Sequence, residues 1–164
     1  MKVTATHKYG ADVDTVYKAF SDPGFYKKKF SAVGARNIQV VEKKKKGPAF
    51  FIKTKREVAS QAPGMLKKFL GEWNTLVQSE SWQADGKGYL NELDIASPGV
   101  PVSIEGTMKL QPSAGGCVNK LSFEVECSVP FVGGKLEAFI ADDMKKVLAE
   151  EYGFIKAYLA KQAV

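Results

Sequence analysis

Apolar and polar residues alternate over residues 2–9 (KVTATHKY), a run rich in Val and Thr that predicts a first strand. Asp12 then caps a short helix over Val13–Phe20, where Val16, Tyr17 and Phe20 share one face. Asp22-Pro23-Gly24 breaks it, and Phe25–Phe30 make a second short helix with Pro23 near its start, which Gly34 ends. From there the period is mostly two. Residues 35–43 carry Ile38 and Val40 in alternation, and Lys44–Pro48 read as a turn. Residues 49–58 set Phe50, Ile52, Thr54, Arg56 and Val58 against Phe51, Lys53, Lys55 and Glu57, so Arg56 is expected on the apolar side. Strands resume at about 74–84, 88–96, 101–111 and 118–128, separated by Asp85-Gly86, Ser97-Pro98-Gly99 and Ser113–Gly116. The compact amphipathic piece Pro63–Gly71 interrupts this series. After Pro130 and Gly133-Gly134, residues 135–162 contain no proline and one glycine, which predicts a closing helix of ~42 Å. Its apolar stripe runs through Leu136, Ile140, Met144, Val147, Leu148, Phe154, Ile155 and Tyr158.

The order is therefore strand, two short helices, six strands and one long helix, with no internal repeat and no linker. A length of 164 residues suits one domain, and 45% hydrophobic with 26% charged residues describes an ordinary globular chain. No apolar run approaches the ~20 residues of a membrane-spanning helix. MKVTATHKYG lacks the apolar stretch of a secretory signal, so a cytoplasmic protein is expected. Cys117 and Cys127 are expected on or beside one strand, ~33 Å apart if fully extended, too far for a disulfide. With a single histidine, those thiols make no four-ligand zinc site without carboxylates, and no metal or cofactor is expected. The net charge of +6 raises nucleic acid as a partner. Neither Lys27–Lys29 nor Lys43–Lys46 comes with a stacking-aromatic motif or a helix-turn-helix pattern, so both read as solvated helix ends and turns and no nucleic acid is expected. Lysine-rich turns also argue against an obligate interface there, and the chain is expected to be a monomer.

Consecutive strands joined by short turns must be mainly antiparallel, each with one apolar face. The long helix is the one element able to cover that face. A sheet twists and curls while a helix stays nearly straight, so the contact is incomplete and tends to leave a hollow, unless aromatic side chains fill it. At this point the segments MKVTATHKY, AFSDPGFYKKKF, KTKREV, FLGEWNTLVQSESW and SVPFVGGKLEAFIADDM carry a resemblance that spans essentially the whole chain. The chain resembles the helix-grip fold of the START-like, Bet v 1-like (SRPBCC) superfamily, and more narrowly an uncharacterised bacterial branch of it. The resemblance implies an α+β fold, a curved seven-stranded antiparallel sheet wrapped on a long C-terminal helix, with a hydrophobic cavity for lipids, sterols, polyketides or other flat apolar molecules.

The expected lining comes from Phe50, Ile52, Trp82, Leu93, Ile104 and Met108 on the sheet, and from Ile140, Met144, Val147 and Tyr158 on the helix. Glu151 falls in the middle of the helical stripe, where a carboxylate is costly unless paired or protonated. Arg56 is its expected partner, and Glu80 is a second inward charge if Leu76, Gln78, Glu80 and Trp82 point inward; the opposite register is also open. Arg56 and Glu151 read either as the anchor for a ligand's polar end or as an ion pair that fixes the helix on the sheet. Met65, Leu66, Phe69 and Leu70, with Lys67 and Lys68, read as a lid over the mouth, with transient contact to an anionic membrane surface, or as a short helix packed on the protein. His7, the sole histidine, sits on the face of Val3, Ala5 and Tyr9, but as a general base it would need a partner and a bound substrate. No residue is assigned a catalytic role. The leading expectation is binding or transport of a small hydrophobic ligand. The alternatives are a cyclase/aromatase- or hydrolase-like enzyme using His7, Glu151 or Tyr158, and a protein-binding module.

Overall fold

The computed structural model describes residues 1–162. Its elements are β1 (Lys2–Tyr9), α1 (Val13–Phe20), α2 (Pro23–Ala32), β2 (Arg36–Lys46), β3 (Ala49–Ala59), β4 (Trp73–Asp85), β5 (Gly88–Ala96), β6 (Val102–Ser113), β7 (Gly116–Cys127) and α3 (Gly133–Gln162). A single 3-10 turn, Gly64–Leu66, interrupts the series between β3 and β4. The strands form one curved seven-stranded sheet in the order β1-β7-β6-β5-β4-β3-β2, each neighbouring pair antiparallel. This is the α+β helix-grip arrangement that the resemblance implies.

Local chemistry accounts for the helix starts. The Asp12 carboxylate accepts from the Thr15 amide at 2.7 Å, and Asp22 accepts from Gly24 at 3.0 Å with Pro23 in the first turn. The second helix therefore begins at Pro23, two residues before the expected Phe25, and ends at Ala32. A larger difference lies at the lysine run. Lys44–Lys46 are strand, not turn: Lys43, Lys44, Lys45 and Lys46 pair with Ile52, Phe51, Phe50 and Ala49, and only Gly47-Pro48 turn. Gly47 has φ 57°, so two residues close the hairpin and the backbone before them is free to pair. The two cysteines are free, at opposite ends of β7.

The inner face follows the alternation. Phe50, Ile52, Thr54 and Arg56 of β3 are buried, as are Gln78, Glu80 and Trp82 of β4, which settles the register left open there. On β6, Gly106 stands where a side chain would collide: an added Cβ would lie 2.4 Å from the Phe123 ring. The missing side chain lets Phe123 cross the neighbouring strand and sit in the core at 3% exposure.

The core has three parts. An aromatic cluster of Tyr9, Tyr17, Phe20, Phe25, Tyr26 and Trp82 packs α1 and α2 over one end of the sheet. A central cluster joins Val3, Leu121, Phe123 and Val125 to Ala141 and Leu148 of α3. A third, smaller one packs Ala62, Leu66 and Leu70 on Leu136 at the start of α3. The long helix rests chiefly on β7, β1 and α2. Over the other strands the sheet curls away from it.

Candidate functional site

The space left beneath α3 is a hollow of about 380 Å³. Its floor comes from β3 to β6, through Leu76, Ile95, Ile104 and Met108, and its roof from Ile140, Met144 and Val147. Those three helix residues lie on the apolar stripe yet are only half-buried, because they face this space and not the sheet. Val100, Leu70 and Phe139 line the end nearest the 3-10 turn.

Of the residues expected to line a cavity, the structure brings together Arg56, Ile104, Met108, Ile140, Met144, Val147 and Glu151. It does not bring in the others. Phe50, Ile52 and Trp82 belong to the aromatic cluster, Leu93 to the central cluster, and Tyr158 packs at 5.2 Å between ring centres on Phe25. The reason is positional: α1 and α2 fill that end with rings, so inward residues there meet side chains and not space. What remains open is a pocket of about 30 Å³ beside His7, Tyr9 and Asn119, room for little more than a water. In the lid segment Leu66 and Leu70 are buried, Phe69 is half-buried and Met65 is half-exposed; Leu70 alone reaches the hollow. The outer face of the sheet carries a shallower depression lined by Ser79, Glu92, Glu105 and Thr107, open to water.

A chain of polar side chains runs along the inner wall. The Arg56 guanidinium carbon lies over the Phe30 ring, 3.9 Å from its centre, and Nη1 donates to Gln78 Oε1 at 3.0 Å. Gln78 Nε2 donates to Glu80 Oε2 at 2.7 Å, and Asn91 Nδ2 donates to Glu80 Oε1 at 2.7 Å. The Tyr26 hydroxyl stands 3.3 Å from Glu80 Oε1 and 2.9 Å from the Phe20 carbonyl, so one proton serves two acceptors. Burial, then the Glu80 charge, push the Tyr26 phenol well above its ordinary range, which keeps it a donor. Arg56 is drawn down to about 10 by burial, against the pull of Glu151 and Glu80, and stays charged at neutral pH.

The expected Arg56–Glu151 ion pair is not formed. Glu151 Oε1 instead lies 3.8 Å from Lys29 Nζ, with both side chains largely buried. Lys29 is the residue that sequence reasoning missed. In sequence it belongs to the lysine cluster Lys27–Lys29, which reads as solvated, but it is 6% exposed, with its ammonium 4.9 Å from the Tyr26 and Phe30 ring centres. The available signal was its spacing, one turn after Phe25 on the face of Tyr26 and Phe30. His7 is buried and stacks on Tyr152 with ring centres 4.2 Å apart. Burial, with Lys156 nearby, lowers it to about 4, so it is neutral at physiological pH. Among the described residues, no cluster of His, Cys, Asp and Glu could hold a metal ion, and no helix is long and apolar enough to cross a membrane.

Many solved structures share this architecture, among them the following three. The chain is similar to Ara h 8.0201, at 15% identity and TM-score 0.65 over 98% of each chain. A START superfamily protein from Mycobacterium smegmatis matches at 10% identity and TM-score 0.61, over 96% of this chain and 98% of that one. A norcoclaurine synthase point mutant from Thalictrum, in complex with a transition-state analogue, matches at 16% identity and TM-score 0.63, over 100% of this chain and 96% of that one. Identities this low carry the fold alone. No curated protein matches the sequence. The fold is thus the START-like, Bet v 1-like helix grip, and because residues 4–159 match the family described as "Protein of unknown function (DUF2505)", the chain belongs to that family.

Proposed function

We propose that this protein binds or transports a small hydrophobic ligand, lipid, sterol-like or polyketide-like, between its sheet and α3. The observation that carries the reading is the hollow itself, about 380 Å³ with a largely apolar lining, in the size range of small-molecule sites (~300–1,000 Å³). Fold likeness to START-like and Bet v 1-like proteins supports it at the level of architecture. Arg56 and Glu151 are the candidate polar groups for one end of the ligand. Access would come by movement of the segment around Leu66 and Leu70, which is held on α3 by a small cluster and flanked by Gly64 and Gly71. Lys67 and Lys68 beside half-exposed Met65 would let that segment touch an anionic membrane surface during transfer. In this reading the protein works as a cytoplasmic monomer.

Native mass spectrometry of freshly purified protein, followed by organic extraction, tests the reading. An apolar molecule that copurifies and is released on denaturation is the expected result. Protein that carries nothing and takes up no apolar probe would end it.

A second reading, an enzyme acting on the same kind of molecule, draws on one observation: Lys29 and Glu151 form a largely buried ion pair at the wall of the hollow. Of the acid–base groups expected from sequence, Glu151 alone lies there, since His7 is stacked on Tyr152 and Tyr158 packs on Phe25. Glu151→Gln distinguishes the two. A carrier keeps binding its ligand through the apolar lining, weakened at most at the polar end, whereas an enzyme loses turnover.

A further inference from the structure

Arg56 has more donors than the protein satisfies. A guanidinium presents five N–H groups in a planar fork and accepts nothing. Here one hydrogen bond, to Gln78 Oε1, and the Phe30 face are its contacts, and no carboxylate among the described residues forms an ion pair with it. The two carboxylates close enough to pull on it are otherwise engaged. Glu80 accepts from Gln78, Asn91 and Tyr26, and Glu151 sits against Lys29. Arg56 is 8% exposed and borders the hollow, so its unpaired N–H groups are not sealed inside the protein but open onto that space. A buried charge with unmet donors is expensive unless something with acceptor oxygens reaches it.

We propose that the occupant of the hollow is an amphipathic acid, whose carboxylate docks on the free edge of the Arg56 guanidinium. This rests on the ligand-binding reading above and adds the chemical class of the ligand. A carboxylate matches the planar fork with two parallel N–H···O bonds, which an alcohol or ester carbonyl does not. The apolar body then lies along Leu76, Ile95, Ile104 and Met108 under Ile140 and Met144. Phe30 holds the guanidinium by a cation–π contact over its ring, and Gln78 holds it through Nη1. The unpaired N–H groups are left for the ligand.

The test compares three molecules with one tail: decanoate, 1-decanol and decyltrimethylammonium, titrated calorimetrically into the intact protein near neutral pH. The acid should bind about tenfold or more tightly than the alcohol, with the ammonium weakest. Arg56→Met should reduce the acid to the affinity of the alcohol, while Arg56→Lys, which keeps charge but not the fork, should retain part of the preference. Equal binding of acid and alcohol by the unaltered protein overturns the inference while leaving the hydrophobic-ligand reading intact. So does a full acid preference that survives in Arg56→Met. If none of the three binds, both fall. The acid–alcohol comparison needs no variant, so an Arg56 substitution that fails to fold does not remove the decision.

Discussion

The imidazole of His7 shows how burial alone sets the behaviour of one side chain. Its pKa is about 4 in the fold against 6.5 free, with burial the larger cause and Lys156 the smaller. Between those values the unfolded chain takes up a proton that the folded chain refuses. The stability is therefore fully present above about pH 6.5 and is lost as pH falls through about 4. Urea unfolding should show a lower midpoint near pH 5 than near pH 7.5, and His7→Phe should flatten this difference. An unchanged slope in the variant would assign it to carboxylates. Glu80 tests the opposite case, a charge kept inside by its partners. Glu80→Ala strands the donors of Gln78 and Asn91, while Tyr26 keeps the Phe20 carbonyl, and should destabilise by about 3 kcal/mol in chemical denaturation. Alternation predicted Arg56 as inward and left Glu80 open between two registers, and a period of two says nothing about who meets whom. Lys29 took the partner expected for Arg56 because α2 delivers it to α3, a contact between elements distant in sequence.

Helix caps and close strand contacts act at the scale of the element. Asp12→Ala removes the acceptor for the Thr15 amide and should destabilise by about 1 kcal/mol, read as a lower melting temperature with the fold retained. Gly106→Ala should be worse, since its Cβ would meet the Phe123 ring at 2.4 Å and the Ser122 carbonyl at 2.8 Å. Overpacking of this kind costs about 1–3 kcal/mol. Element type was legible wherever the apolar period was long and unbroken, as in β3, β6, β7 and α3. The lysines of β2 misled because four consecutive charges carry no period at all. Their strand conformation comes from pairing with β3, whose own residues show the alternation.

At the scale of the molecule the hollow is a consequence of mismatch between a curved sheet and a straight helix resting on one side of it. Met144→Trp should fill that space from the roof. In the proposed function it removes binding of apolar probes with little change in melting temperature, because the new ring occupies room that no other side chain uses. Loss of the fold instead would mean the space is smaller than its outline. The aromatic end behaves differently. There Phe20, Phe25, Tyr26 and Trp82 already touch, so enlarging a residue such as Ile52 should unfold the protein without a specific effect on ligand.

From its residues alone this chain determined the number and order of its elements, the inward face of several strands and the Asp12 cap of its first helix. All of these depend on spacing within a few residues or on turn chemistry. Only the tertiary structure decided which inward residues border open space and which are packed, that Glu151 answers Lys29, and that Arg56 keeps donors in reserve. Those outcomes depend on where α2 and α3 come to rest on a curved surface, and local periodicity carries no information about that.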